Sequence, residues 1–368
     1  MRSITETELN RLYIYFFETL LYLAFALTGG YLLLQFIPHS SKPDMHISVD
    51  WFQYALLGIP VFSIMSIIRT VFVLRDFASD MTFIELLAVV LKDYSYGNAW
   101  LWILILCTLM YVITQLGKMD SPWKKWALAL GWLLVVLAHG WASHPAGFSV
   151  WGFISQAVHV GAVSVWLGVL ILVAWFTNGE WNWHRFVRWY TPLSIGSMVL
   201  ITGAGLAMMF ILIDGYLASW GINYGQALLL KHLVFVPLLL LAFMNGFLTK
   251  LTDQGRNEQK LKWWLRAETL LALAMLIITA YMGVQEPPHE GEFEPPTPSL
   301  LFKWLHGSDV DLVMNWQFGA APIACILIGI AALASLIPCY KRERKDLFIA
   351  LLLIGVIFPF FGLLLLVG

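Results

Sequence analysis

The chain predicts an all-α fold, a polytopic transmembrane helical bundle of about ten spans with a possible internal repeat. Three observations carry that reading. Of its 368 residues, 60% are hydrophobic and only 12% are charged, about half the charged share of a soluble domain. The apolar residues gather into runs of bilayer length, about 20 residues each as helix. Backbone groups in lipid must be paired internally, so helices are the economical reading.

The spans fall roughly at 12–37, 51–74, 98–116, 124–139, 148–176, 189–213, 226–249, 264–283, 319–340 and 346–367. The first run is too long for a signal core and lacks a small-residue cleavage site, so it reads as a retained span. Lysine and arginine set the orientation. The 250–266 connection holds Lys250, Arg256, Lys260, Lys262 and Arg266, and the 341–345 connection holds Lys341, Arg342, Arg344 and Lys345. Both are expected inside. Counting back places Arg185, Arg188, Lys118, Lys124 and Lys125 inside as well. The loops at 140–147 and 214–225 lack lysine and arginine and fall outside, as does the N-terminus, against the pull of Arg2 and Arg11.

Several function classes drop out. The net charge of −1 and the absence of a basic run give no footprint for nucleic acid. Cys107, Cys325 and Cys339 form no CxxC pair, so neither a disulfide framework nor a thiolate cluster is implied. No nucleophile elbow, P-loop, HExxH or dinucleotide fingerprint occurs, and no residue is assigned a catalytic role. GAGLAMM at 203–209 is glycine-rich but lies within a span, where small residues serve close helix packing.

One echo runs along the chain. Residues 94–99 read YSYGNA and residues 222–227 read INYGQA, each after a span and an irregular loop. Paired repeats are common in transporters, with the working site near their interface.

His159 is the central residue. An ionisable side chain inside a span is expensive and usually faces the bundle interior or a cavity. Ser155 and Gln156 precede it by a turn, and Val163 and Trp166 follow on roughly the same face. His144 waits at the mouth of the same span, and His139 lies beyond a loop with Gly140, Pro145 and Gly147. A metal-ligand role competes here with an ordinary hydrogen-bonded core histidine. Thioether and imidazole together suit Cu(I). Met208 and Met209 near the outer end of the sixth span, with Met198 deeper, bracket His159 in depth. Packing is the alternative for each, since methionine is a common gap filler.

His232 follows Lys231, a lysine able to snorkel, about two turns into the seventh span. His39, Met45 and His46 sit in PHSSKPDMH after the first span, an exit-side relay or simply solvated side chains. Glu268, a charged residue within the eighth span, reads as structural, paired with Arg266 or a neighbouring helix. Glu286, His289, Glu290, Glu292 and Glu294 form an acidic loop that is either a linker or a weak cation trap. Tryptophans at span ends, Trp123, Trp126, Trp181, Trp183, Trp263 and Trp264, read as interfacial belts.

Five short pieces in order, SH at 143–144, VHVGAVSVWLG at 158–168, HRF at 184–186, YGQALLLK at 224–231 and RAE at 266–268, resemble the copper resistance D (CopD) membrane proteins. The resemblance covers about 50–285. It divides the chain into an N-terminal span and loop (1–50), a CopD-like bundle (51–285), an extracytoplasmic acidic and proline-rich loop (286–318) and two extra spans (319–368). It implies a multi-pass protein of the cytoplasmic membrane that moves copper. Partners would be a separate extracytoplasmic CopC-type donor and a cytoplasmic copper chaperone. His144 and His159 become metal-site candidates, with Trp166 as their packing neighbour and Arg185, Tyr224, Lys231 and Glu268 as structural positions. His139 and His232 lie outside the family pattern. Val169 stands where a second glycine is usual, Pro145 replaces an alanine, and Ile103 occupies the place in the first repeat held by Lys231 in the second.

The resulting expectation is inward copper transport through a His/Met site. Zinc fits histidines too, but zinc sites usually recruit cysteine or carboxylate, absent at this depth. A rival is a redox protein holding b-type haem between His159 and His232. A third reading is a sensor or assembly factor that binds copper without moving it.

Overall fold

Long apolar runs have one economical solution in lipid, and the chain adopts it. The computed structural model describes residues 2–45, 47–78, 80–117, 121–177, 183–213, 215–248, 258–285, 288, 297–307 and 316–367. His46, Lys118, Trp181, Lys250, Arg256, Glu286, His289, Glu290, Glu292 and Glu294 lie outside the described residues, as do the side chains of Trp183, His184 and Lys260. The helices are α1 (Arg2–Phe36), α2 (Val49–Phe77), α3 (Phe83–Asp93), α4 (Ser95–Gln115), α5 (Pro122–Trp141), α6 (His144–Phe148), α7 (Val150–Phe176), α8 (Trp183–Leu212), α9 (Asn223–Phe243), α10 (Glu258–Met282), α11 (Leu300–His306), α12 (Ala320–Lys341) and α13 (Lys345–Leu365).

Nine of these are long and apolar enough to cross a membrane. The tenth expected span is the 20-residue helix α5. Its length suffices, about 30 Å at helical rise, but Lys124, Lys125 and His139 dilute its apolar character. The chain is a polytopic helical membrane bundle, as its composition requires.

The helices cluster into two compact units, Met1–Ile211 and Leu212–Gly368. In the first, α7 lies against both α1 and α5. At the α1–α7 crossing a Cβ built on Gly168 would collide with the Ala26 carbonyl, and one on Gly30 would lie 2.5 Å from Val169 N. Only glycine lets the two backbones approach so closely. Gly140 of α5 faces Ala157 of α7, where an added Cβ would lie 3.0 Å from the alanine Cβ.

The lysines at the start of α5 close other helices. Lys124 is fully buried, and its Nζ donates to Thr114 O at 3.2 Å and Gly117 O at 2.9 Å, capping α4. Lys125 Nζ donates to Gln35 O at 3.0 Å and Lys42 Nζ to Leu34 O at 3.0 Å, capping α1. Hydrogen bonds from a charged donor contribute about 1.5–3 kcal/mol each. Lys124→Met is therefore expected to lower stability by about 2–4 kcal/mol, read as an earlier thermal transition of the detergent-solubilised protein.

The YSYGNA/INYGQA echo has a structural counterpart. Gly97 is the third residue of α4, and a Cβ there would strike the carbonyl of Val90 in α3. Gly225 is the third residue of α9, and a Cβ there would strike Ser219 O in the 3-10 turn Ala218–Gly221. A third instance, absent from the sequence comparison, is Gly152 at the same place in α7, against Pro145 O of α6. Each span is thus entered from a short helical turn folded tightly onto its first turn. The segment before YSYGNA is therefore not an irregular loop. It is α3, capped by a Thr82–Glu85 box, with Leu86 and Val90 packed on Ile67 and Val71 of α2.

In the second unit α12 and α13 pair, and Ile326 of α12 with Phe360, Leu363 and Leu364 of α13 packs around Leu229 and Leu233 of α9. The stretch expected as a loop at 286–318 contains a helix among its described residues. Residues 300–306 form α11, docked by Ser299, whose N donates to Gly221 O at 2.8 Å while its hydroxyl accepts from Gln226 Nε2 at 2.6 Å.

Candidate metal site

His159 lies nine residues into α7, about 14 Å from its start at helical rise. Its ring packs against α8. Nδ1 stands 3.0 Å from the backbone oxygen of Ile201. A carbonyl can only accept, so Nδ1 carries the proton and Nε2 the lone pair. A histidine that ligates a metal is characteristically held in this way, its second nitrogen donating to a carbonyl or carboxylate. A Cβ added to Gly205, one turn along α8, would lie 3.7 Å from the ring.

Helical spacing then places the sulfurs. Met198, Ile201, Gly205 and Met208 stand at i, i+3, i+7 and i+10, one stripe of α8, with Met209 on its edge. All three methionines are half-buried. The stripe that meets His159 therefore carries Met198 a turn to one side and Met208 a turn to the other. A second contact fixes the register: Tyr190 OH donates to Trp166 O at 3.1 Å. Trp166 is buried, and its Nε1 has no hydrogen-bond partner among the described residues.

The other candidates stand elsewhere. The His139 ring packs on Phe25 of α1, centroids 4.9 Å apart. Its neighbour Gly140 meets Ala157, which lies about 200° around α7 from His159, so α5 reaches α7 on the far side from the His159 ring. His144 is the exposed first residue of α6. His232, in the second unit, has Nδ1 2.8 Å from Tyr216 OH; burial holds that phenol above its ordinary range, so it stays a hydroxyl. Lys231 is half-buried eight residues into α9, and Tyr224 is buried in its first turn. Among the described residues no group of three or more His, Cys, Asp and Glu is placed to hold a metal.

The loop after α1 is anchored rather than loose. Arg185 donates to Ser40 O at 3.2 Å, Trp189 Nε1 to Ser41 O at 2.7 Å, and the Met45 main chain bridges to Thr177. His39 is exposed there, beside a shallow cavity with Gln35, Lys42 and Lys125.

Glu268 lies within α10, as expected, and of the two partners considered a neighbouring helix supplies it: Asn245 Nδ2 donates at 2.7 Å. One sequence assignment changes. Trp264 is no interfacial residue; it is fully buried against Tyr340 and Phe348. The sequence reading also passed over Glu18. This carboxylate within α1 accepts from Ser66 of α2 at 2.8 Å. Its charge in an apolar run was the available signal.

The fold defines a multi-pass membrane protein whose intramembrane imidazole faces a methionine-bearing helix. Comparison with known proteins bears out the CopD resemblance. The family model for copper resistance protein D matches residues 184–282, covering the HRF, YGQALLLK and RAE pieces and leaving His144 and His159 outside the match. The chain is 22% identical over 203 residues to the Inner membrane protein YebZ of Escherichia coli (strain K12), covering 52% of this chain and 69% of YebZ. It is 26% identical over 151 residues to the Copper transport protein CutJ of Bacillus subtilis (strain 168), covering 39% of this chain and 27% of CutJ. No solved structure gives a significant match.

Proposed function

We propose that the protein carries copper across the plasma membrane, inward, through a site formed by His159 of α7 and methionine thioethers of α8. The supporting observation is the Nδ1–Ile201 bond, which fixes the imidazole tautomer with its lone pair on Nε2 in a ring that packs against the helix carrying Met198 and Met208. The copper resistance family match and the name of CutJ support the cargo, and the name of YebZ supports the inner membrane. Imidazole with thioether favours Cu(I). His144, exposed at the start of α6, is the entrance ligand, with His139 in the last turn of α5 as its companion. His232 is held to Tyr216 and serves the second unit. His39 and Met45, with His46, form the exit-side relay. A CopC-type protein would deliver copper outside and a chaperone would receive it inside.

The test is copper accumulation in sealed proteoliposomes, with a visible spectrum of the same preparation. Wild type is expected to be colourless with bound Cu(I), and to load the lumen faster than His159→Ala. A Soret band lost in His159→Ala would replace this reading with haem binding. Bound copper without accumulation would make the protein a sensor or assembly factor.

A further inference from the structure

Glu268 is a carboxyl at bilayer depth with no counter-charge bonded to it among the described residues. It lies seven residues, about 10 Å of helical rise, inside the span that opens at Leu261, and only 3% of its surface is exposed. Its bonded partner is neutral: Asn245 Nδ2 donates to Oε2 at 2.7 Å and to Trp264 O at 3.3 Å. Asn245 Oδ1 in turn accepts from Tyr340 OH at 2.9 Å. Among the described residues no lysine, arginine or histidine is bonded to Glu268. The titratable and charged groups with described side chains on the surrounding elements include Lys262 and Arg266 on α10, Cys339, Tyr340 and Lys341 on α12, Lys345 and Asp346 on α13, and Lys231 and His232 farther back on α9. The Lys345 ammonium sits over the Trp263 ring at 4.9 Å. The wall is otherwise apolar: Leu241, Met244, Trp264, Leu336 and Phe348.

An unpaired carboxylate buried among such groups costs several kcal/mol, whereas a neutral carboxyl accepting one amide bond does not. The resting occupant is therefore a proton. Two features argue that this proton exchanges. Asn245 lies in the π-helical turn Met244–Leu248, where the regular ladder of α9 opens; such turns recur at functional sites. The carboxyl is also only about two turns from the lysine-bearing end of α10, a short path to water.

We propose that Glu268 is a proton-binding site that loads and unloads during the working cycle. Unloading breaks the Glu268 O–H bond and passes the proton to water at the basic end of α10; the Asn245 amide then bonds the carboxylate. Loading reverses this, and no electrons move. Coupling of the site to copper rests on the transport reading above; the proton site itself does not.

Infrared titration of the purified full-length protein tests the site. The carboxylic-acid C=O band of wild type minus Glu268→Gln is expected to disappear as pH rises. Asn245→Ser, which keeps the carboxyl but removes its amide donor, should shift that band, and this serves even if Glu268→Gln folds poorly. A band that persists at every pH, or none at any pH, overturns the proposal. In proteoliposomes, wild-type copper uptake should depend on lumenal and external pH, and folded Glu268→Gln should lose that dependence. An unchanged pH profile in Glu268→Gln overturns the role in the cycle. Wild type without copper uptake would refute the transport reading and leave the infrared result to decide the proton site.

Discussion

Gly168→Leu is expected to leave almost no folded protein in the membrane fraction. The α1–α7 crossing is a backbone-on-backbone contact. A Cβ at Gly168 would meet the Ala26 carbonyl and Gly30 N at 2.8 Å, and one at Gly30 would fall 2.6 Å from Gly168 Cα. Overpacked side chains usually find relief by turning a rotamer, at about 1–3 kcal/mol. Here the obstacles are main-chain atoms, which cannot rotate away, so the helices must separate. Separation also strips α7 of packing where Leu167, Val169, Leu170 and Val173 are buried. Within lipid that packing is the main force holding helices together, because hydrocarbon solvates leucine as well as protein does. The loss is put at about 3 kcal/mol or more, enough to abolish a marginal fold. Gly196→Ala and Gly203→Ala are the controls, since a Cβ at either meets nothing within 4 Å. Size-exclusion profiles of detergent extracts read the result. A monodisperse Gly168→Leu with wild-type melting would mean that the two helices do not cross there.

How much of this was legible beforehand depended on which residues carry a feature's identity. Spans of about 20 apolar residues announce themselves, and their observed ends fall within a few residues of those read from sequence. Short amphipathic pieces do not. Helix α3 exists because Leu86 and Val90 find Ile67 and Val71, and α11 because Ser299 finds Gly221 and Gln226. Both partnerships are tertiary, and periodicity over so few residues cannot signal them. The same holds for Glu268: sequence offered Arg266 or an unnamed neighbouring helix as its partner, and residues two apart on a helix do not face each other. Asn245, 23 residues earlier, does. His159 was visible because imidazole is rare in a span. Its orienting partner was not, since Ile201 contributes only a carbonyl and every residue has one. Trp264 shows the converse, a residue type that suggests the interface but fills a core with Tyr340 and Phe348.

His159→Ala is expected to remove bound copper while the bundle stays folded. The side chain is half-buried and bonds the Ile201 carbonyl; losing that bond should cost about 1 kcal/mol of stability but the whole of the nitrogen ligand. Graded variants separate ligand loss from misplacement. Met198→Leu and Met208→Leu keep volume and remove sulfur; copper affinity should fall in one or both, with melting unchanged. Gly205→Val retains every ligand but pushes bulk into the 3.7 Å gap beside the ring, tilting it off the Ile201 carbonyl. Loss of such an orienting contact usually costs 10–100-fold in metal affinity, so about that drop is expected. Acidification should release copper from wild type, because an imidazolium has no lone pair to offer. The measurement is copper per protein, with Cu(I) competition against a chelator, on folded material for each variant. If His159→Ala retains its copper with unaltered affinity, the ligand set lies elsewhere, and the Ile201 bond is merely how a membrane helix satisfies a buried imidazole. If copper falls in His159→Ala and Gly205→Val alike while both remain folded, the tautomer imposed by that carbonyl is part of the binding device.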